Sequence, residues 1–122
     1  IITHGHEDHV GAVAHLWPRL RCPVYATPFT MALLNRKLQE AGLTDQVPLH
    51  TLSRGARLNL GPFDVELVDI THSIPEASAV ILRTEHGTVL HTGDWKLDPD
   101  PVIGDTTDTV KLQALAREGV LA

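Results

Sequence analysis

A single cysteine, Cys22, stands in the 122 residues. The chain cannot close a disulfide within itself, which fits a reducing compartment and gives the expectation of a cytoplasmic protein. No apolar run approaches the roughly 20 residues that a membrane-spanning helix requires. No basic stretch followed by an apolar one opens the chain, so a secretory leader is not expected. Nor is there an excess of basic charge: Lys and Arg number 10 against 15 Asp and Glu, for a formal net charge of −5. A compact nucleic-acid reader carries a basic face, so most contacts to any nucleic-acid phosphates are expected from elsewhere. Internal repeats and low-complexity stretches are absent. The chain opens on Ile1-Ile2-Thr3 without an initiator methionine and closes on the apolar Val120-Leu121-Ala122. The expectation is a piece of a longer protein, truncated at both ends.

What is present is ordinary for a folded domain of modest size, with 43% hydrophobic and 20% charged residues. Ile1 to Thr3 reads as the end of a buried strand that runs into a polar loop, residues 4 to 8. A helix is expected from an Asp8 N-cap through Val10, Val13, Ala14 and Leu16 to Pro18. Residues 23–26 form a short strand. Pro28 then opens a helix with an apolar stripe of Met31, Leu34 and Leu38, closed by Gly42. Strands are expected over 47–52 and 57–60. Phe63, Val65 and Leu67 alternate with Asp64 and Glu66, the mark of a half-buried strand. Residues 79–83 and 88–91 read as a hairpin, a loop rich in Pro and Asp follows Asp94, and a last helix covers 110–118. The order points to a layered α/β domain.

The chemistry concentrates in His4-Gly5-His6-Glu7-Asp8-His9. Three imidazoles and two carboxylates in six residues are hard to explain as packing. In extended chain, positions i and i+2 share a face, so His4 and His6 can turn the same way. Asp8 and His9, in the next turn, can address a second centre beside the first. Neutral imidazole with carboxylate suits Zn²⁺ or a similar divalent ion, with Mn²⁺ also open. His72 follows the alternating strand, and Asp94 follows the next hairpin, with Gly93 allowing a close backbone approach. Ligands gathered from successive strand-end loops are how an α/β scaffold builds a site. The expected metal ligands are thus His4, His6, Asp8, His9, His72 and Asp94. Glu7, Asp69 and Asp98 are candidates to orient the histidines. His91 is expected to pack or support rather than ligate, and His15, His50 and His86 to lie on the surface. Trp17 and Phe63 are expected in the core, Cys22 as a small buried hydrophobe, and Trp95 as a brace or cleft wall. Ser73 has no base partner nearby in sequence, which disfavours a serine hydrolase.

The His-x-His-x-Asp-His run, the later His72 and the later Gly93-Asp94 resemble the second, third and fourth motifs of the metallo-β-lactamase superfamily. The wording is finer still. Thr3 to Ala12, Thr71-His72-Ser73-Ile74-Pro75-Glu76 and His91 to Pro99 are similar to the bacterial ribonuclease J family, in the β-CASP branch of that superfamily. The resemblance runs essentially end to end. It implies a four-layer αββα sandwich, of which residues 1–122 hold a central part of one half. The first strands, the β-CASP insertion and a later ligand histidine lie outside the chain. It implies one metal on His4, His6 and His72, a second on Asp8 and His9, and Asp94 bridging the two. Asp8 and Asp94 are then the catalytic carboxylates. Two ions about 3.5–4 Å apart would activate a shared hydroxide for attack on RNA phosphodiesters. Endonuclease and 5′→3′ exonuclease activity, an RNA substrate, no membrane association and a homodimer or homotetramer are implied in the same way. Other hydrolases on the same fold (a thioesterase, a lactonase or a tRNA-processing phosphodiesterase) share the metal motifs, because fold and metals do not fix the substrate. A non-catalytic scaffold subunit is disfavoured by the intact ligand set.

Overall fold

Residues 1–3 are extended and join two small sheets. The Ile2 N–H donates to Tyr25 O at 2.9 Å on one side, and the Ser78 N–H donates to Thr3 O at 3.0 Å on the other. The structure, a computed structural model, describes all 122 residues. Its elements run α1 (Glu7–Val10), α2 (Val13–Leu20), β1 (Val24–Ala26), α3 (Pro28–Glu40), β2 (Leu49–Thr51), β3 (Arg57–Leu60), β4 (Phe63–Asp69), β5 (Ser78–Thr84), β6 (Gly87–His91) and α4 (Thr109–Glu118). Strands β1 and β2 pair in parallel, while β3-β4-β5-β6 form an antiparallel sheet in chain order. This is an α/β arrangement.

Helix α3 packs the first layer. Leu34 and Leu38, one turn apart, are fully buried with Met31 against Ala14 of α2 and Val24 and Ala26 of β1. Truncating either leucine to alanine in such a site costs about 2–5 kcal/mol. In the second sheet, Val65 and Leu67 bury one face with Val80. Val68, Ala79 and Ile81 bury the other face, against Leu115 of α4. The adjacent residues Leu67 and Val68 are thus both buried, so β4 is covered on both sides where it ends at the chemistry-bearing loop. No helix is long and apolar enough to cross a membrane.

Local differences from the sequence reading have physical causes. The expected single helix after the histidine loop is two, α1 and α2, broken at Gly11-Ala12, and α2 continues past Pro18 to Leu20. His6, not Asp8, holds the N-cap position, with extended φ −68° and ψ 153°, and Asp8 lies in the first turn. There its carboxylate still favours the positive end of the short helix. Phe63 is 44% exposed rather than buried, because the first residue of β4 lies beyond the covered part of the sheet. Cys22 is exposed. Trp17 is partly buried against the α3 cluster, with its indole N–H donating to Cys22 O at 2.8 Å.

Candidate metal centre

The segment from Thr3 to Gly5 is wholly buried. A Cβ at Gly5 would stand 2.6 Å from Leu33 Cδ1. The backbone is therefore pressed onto α3 at that residue, and the flanking His4 and His6 turn to the other side. The first turn of α1 adds Asp8 and His9. His72 comes from the loop that follows β4, and Asp94 from the turn that follows β6. At Gly93 the backbone takes φ +59°, and a Cβ there would sit 3.2 Å from Ser78 O and 3.4 Å from Thr3 Cβ. A residue without a side chain is what lets the Asp94 turn close onto β5 and the Thr3 segment.

Three stretches of chain, residues 4–9, the His72 loop and the Asp94 turn, converge here. The ligand atoms of His4, His6 and His72 form one group and those of His4, His9 and Asp94 another, each within 4.8 Å. His6 Nδ1 and His72 Nε2 are 3.0 Å apart. Asp94 Oδ2 lies 3.4 Å from His9 Nε2, 3.9 Å from His4 Nε2 and 4.0 Å from His72 Nε2. It therefore faces imidazoles of both groups. Tetrahedral Zn²⁺ with Zn–N near 2.0–2.1 Å spaces its ligand atoms about 3.3 Å apart, so these separations suit a shared divalent ion with little rearrangement. Asp8 stands at the rim: its side chain is 75% exposed, with Oδ2 3.7 Å from His9 Nε2.

The electrostatics agree with the geometry. His4 is fully buried, and its Nε2 has no hydrogen-bond partner. An orphaned polar atom in the interior costs about 1–3 kcal/mol, and a cation at the centre of the cluster would remove that cost. Burial, followed by the neighbouring His9, His72 and His6, lowers the His4 pKa from 6.5 to about 4, against an opposing pull from Asp94. The ring is neutral at pH 7, the state that ligation requires. His72 is shifted in the same direction, again first by burial and then by His6. Thr3 Oγ1 lies 3.1 Å from His4 Nδ1. An Nδ1–H donated to that hydroxyl leaves the Nε2 lone pair aimed into the cluster. Histidine and carboxylate donors, an unpartnered buried nitrogen and depressed imidazole basicity together fit a divalent metal.

The three carboxylates expected to orient the histidines do other work. Glu7 pairs with Lys37, Asp69 takes two bonds from Arg54, and Asp98 pairs with Lys96 at 2.8 Å. The orienting group is Thr3, which sequence reasoning passed over. Its signal was available, as a small hydroxyl residue directly before the first ligand at a buried strand end. His91 is exposed, with Nδ1 accepting from the Gly93 N–H at 3.1 Å, so it supports the Asp94 turn without joining the cluster. His15, His50 and His86 are exposed. Glu76 was also passed over. Its Oε2 accepts from the Phe29 N–H at 2.8 Å at the start of α3, and its backbone takes φ +58°. This ties the loop carrying His72 to the helix beneath the cluster. Thr71 and Thr107 exchange backbone-to-hydroxyl bonds of 2.9 and 3.0 Å, holding the same loop from the other side.

Residues 1–116 match the family described as β-lactamase superfamily domain. The chain is 49% identical over 122 residues to a ribonuclease J of Sinorhizobium meliloti, covering 100% of this chain and 22% of that protein. It is 39% identical over 121 residues to ribonuclease J 1 of Streptococcus pyogenes serotype M3, covering 99% of this chain and 21% of the relative. The chain thus spans about a fifth of the length of these curated relatives. Among solved structures it superposes on the MIM-2 metallo-β-lactamase with a TM-score of 0.57 at 23% identity, over 95% of this chain and 47% of that one. That likeness speaks to the fold alone. With three stretches of chain delivering histidines and Asp94 to one point, and the family match over residues 1–116, the chain belongs to the β-lactamase superfamily.

Proposed function

We propose that these residues form a central part of the metallo-β-lactamase domain of a longer, metal-dependent ribonuclease of the J type, with RNA as its substrate. The observation that carries the metal chemistry is the buried, unpartnered His4 Nε2 at the junction of two three-residue donor groups. The substrate class is supported by relatives named ribonuclease J at 49% and 39% identity over essentially the whole chain.

In this reading His4, His6 and His72 would hold one divalent ion, His9 and Asp8 a second, with Asp94 facing both sets of imidazoles as a shared donor. Zn²⁺ is the first expectation and Mn²⁺ the second. Two such ions, when bound, would supply an activated water and charge neutralisation at the phosphate. The chain's own residues do the rest. Thr3 fixes the His4 ring so that Nε2 faces inward. The Gly93 turn, supported by His91, sets the Asp94 carboxylate between the two groups. Asp8, exposed at the rim beside His9, is placed to orient the incoming water. Glu76 and the Thr71–Thr107 pair hold the His72 loop in register with the rest. The homo-oligomer expected from the resemblance and the cytoplasmic location expected from the lone Cys22 go with this reading.

The test is cleavage of 5′-monophosphorylated RNA by the full-length protein with Zn²⁺ or Mn²⁺, beside a His4→Ala/His6→Ala double variant. Degradation that the double variant lacks is expected. A protein that holds metal yet leaves RNA intact contradicts the substrate assignment, and thioesters, lactones and tRNA precursors become the next compounds to assay.

A further inference from the structure

The turn after Asp94 divides its side chains between two sides. Trp95 and Leu97 line an apolar hollow with Ile70, Ala79, Leu90 and Leu112. Lys96, between them, lines a different cleft of about 270 Å³, whose wall includes His72, Ser73, Ile74 and Pro75. This is the alternation of an extended segment. It places one ammonium group in the same cleft as a histidine of the metal cluster. The position is fixed by the backbone, because the Lys96 N–H donates to Thr71 O at 2.8 Å, one residue before His72.

The charge is notable because cations near the cluster are few. The chain carries only 10 basic residues against 15 acidic ones. Arg54, Arg57 and Arg83 are each bound to carboxylates, and Lys37 and Lys111 are engaged with Glu7 and Glu66. Lys96 is also paired, with Asp98 at 2.8 Å, but both partners remain partly open to water, 47% and 26% exposed. A pair of this kind holds the lysine in place and yields readily to a better anion. The outer wall of the cleft is apolar and open: Val102 is 99% and Ile103 67% exposed. At about 270 Å³ the cleft is at the small end of ligand sites, which run from about 300 to 1,000 Å³. It suits one nucleotide unit rather than a long run.

We propose that this cleft seats the nucleotide next to the cleaved bond of a single-stranded polynucleotide, with the Lys96 ammonium binding its phosphate and Asp98 as the anion that this phosphate displaces. The Ser73 hydroxyl offers a second donor to the phosphate, and Ile74, Val102 and Ile103 meet the apolar face of the sugar and base. Lys96 is thus a substrate-positioning residue. The inference rests on the ribonuclease reading above.

The experiment uses the full-length protein and 5′-monophosphorylated single-stranded RNA, measuring kcat and KM across a salt series for wild type, Lys96→Gln, Lys96→Arg and Asp98→Asn. Lys96→Gln is expected to raise KM roughly five- to tenfold at low salt, the loss of one charge-assisted contact, with kcat and metal content little changed. The slope of log KM against log salt should fall by about 0.7, the share of one phosphate on a single strand. Lys96→Arg should restore most of the affinity. Asp98→Asn should lower KM, because it frees the ammonium. If the Lys96–Asp98 pair only braces the loop, Lys96→Gln and Asp98→Asn will shift KM in the same direction and leave the salt slope alone. That outcome overturns the inference while the ribonuclease reading stands. A wild type that does not cleave RNA overturns both.

Discussion

Replacing His4 by leucine separates a ligand from a core residue. In a structural role, a fully buried imidazole removed from the core would cost several kcal/mol, as other large core truncations do. The geometry here gives a different sum. His4→Leu removes the unpartnered Nε2, relieving about 1–3 kcal/mol. It also orphans the buried Thr3 hydroxyl, 3.1 Å from Nδ1, a comparable loss of about 1–3 kcal/mol. Leucine is close in size and apolar, so little cavity is left. The metal-stripped variant should therefore match metal-stripped wild type within about 1 kcal/mol. The metal-loaded state should behave oppositely. An ion at a thousand times its Kd stabilises the folded protein by about 4 kcal/mol, and the variant, lacking a donor shared by both groups, should lose most of that increment. Denaturant unfolding of both proteins, with metal and after chelation, gives all four numbers. A loss of 3 kcal/mol or more in the chelated variant, with the metal increment intact, would refute the reasoning and make His4 a core residue.

Three further predictions follow from the same site. Because His4 titrates near 4 when folded, against 6.5 unfolded, the unfolded chain takes up the proton first as pH falls. The metal-stripped protein should keep its full stability above pH 6.5 and lose up to about 3 kcal/mol between pH 6.5 and 4. Unfolding at pH 7 and 4.5 checks this, and equal stabilities would contradict it. Asp94→Asn, which halves the donor capacity of the group facing His4, His9 and His72, should weaken metal binding at least about 100-fold while leaving chelated stability within about 1 kcal/mol. Competition with a chromogenic chelator measures the first and denaturation the second. Glu76→Ala should cost about 1 kcal/mol through the lost bond to the Phe29 N–H. Glu76→Gly should recover part of that, because the φ of +58° suits glycine. Thermal unfolding of the pair reads the difference, and a Gly variant less stable than the Ala variant would count against it.

Much of this was legible in the chain, for reasons tied to particular residues. Every residue expected as a ligand except Asp8 falls in one of the two donor groups, because each stands at the end of an element that hydrophobic periodicity reveals. The apolar stripe Met31, Leu34 and Leu38 is buried as its spacing demands. Less legible was whatever depends on contacts between distant segments. Glu7, Asp69 and Asp98 were expected to face the histidines, but a carboxylate goes to the nearest available cation. Which cation that is depends on tertiary placement: Lys37 is 30 residues from Glu7, and Arg54 is 15 from Asp69. The exposure of Cys22 and Phe63 belongs to the same class. Both are apolar by type, and only the sheet edges and helix ends decide whether anything covers them.

The most direct test of the proposed two-metal site is the metal content of the full-length protein, measured by elemental analysis after purification without chelators, for wild type and the His4→Ala/His6→Ala variant. Two divalent ions per chain in the wild type, and at most a weakly held remnant in the variant, is the predicted result. A wild type that carries no metal and gains none on incubation with Zn²⁺ or Mn²⁺ would contradict it.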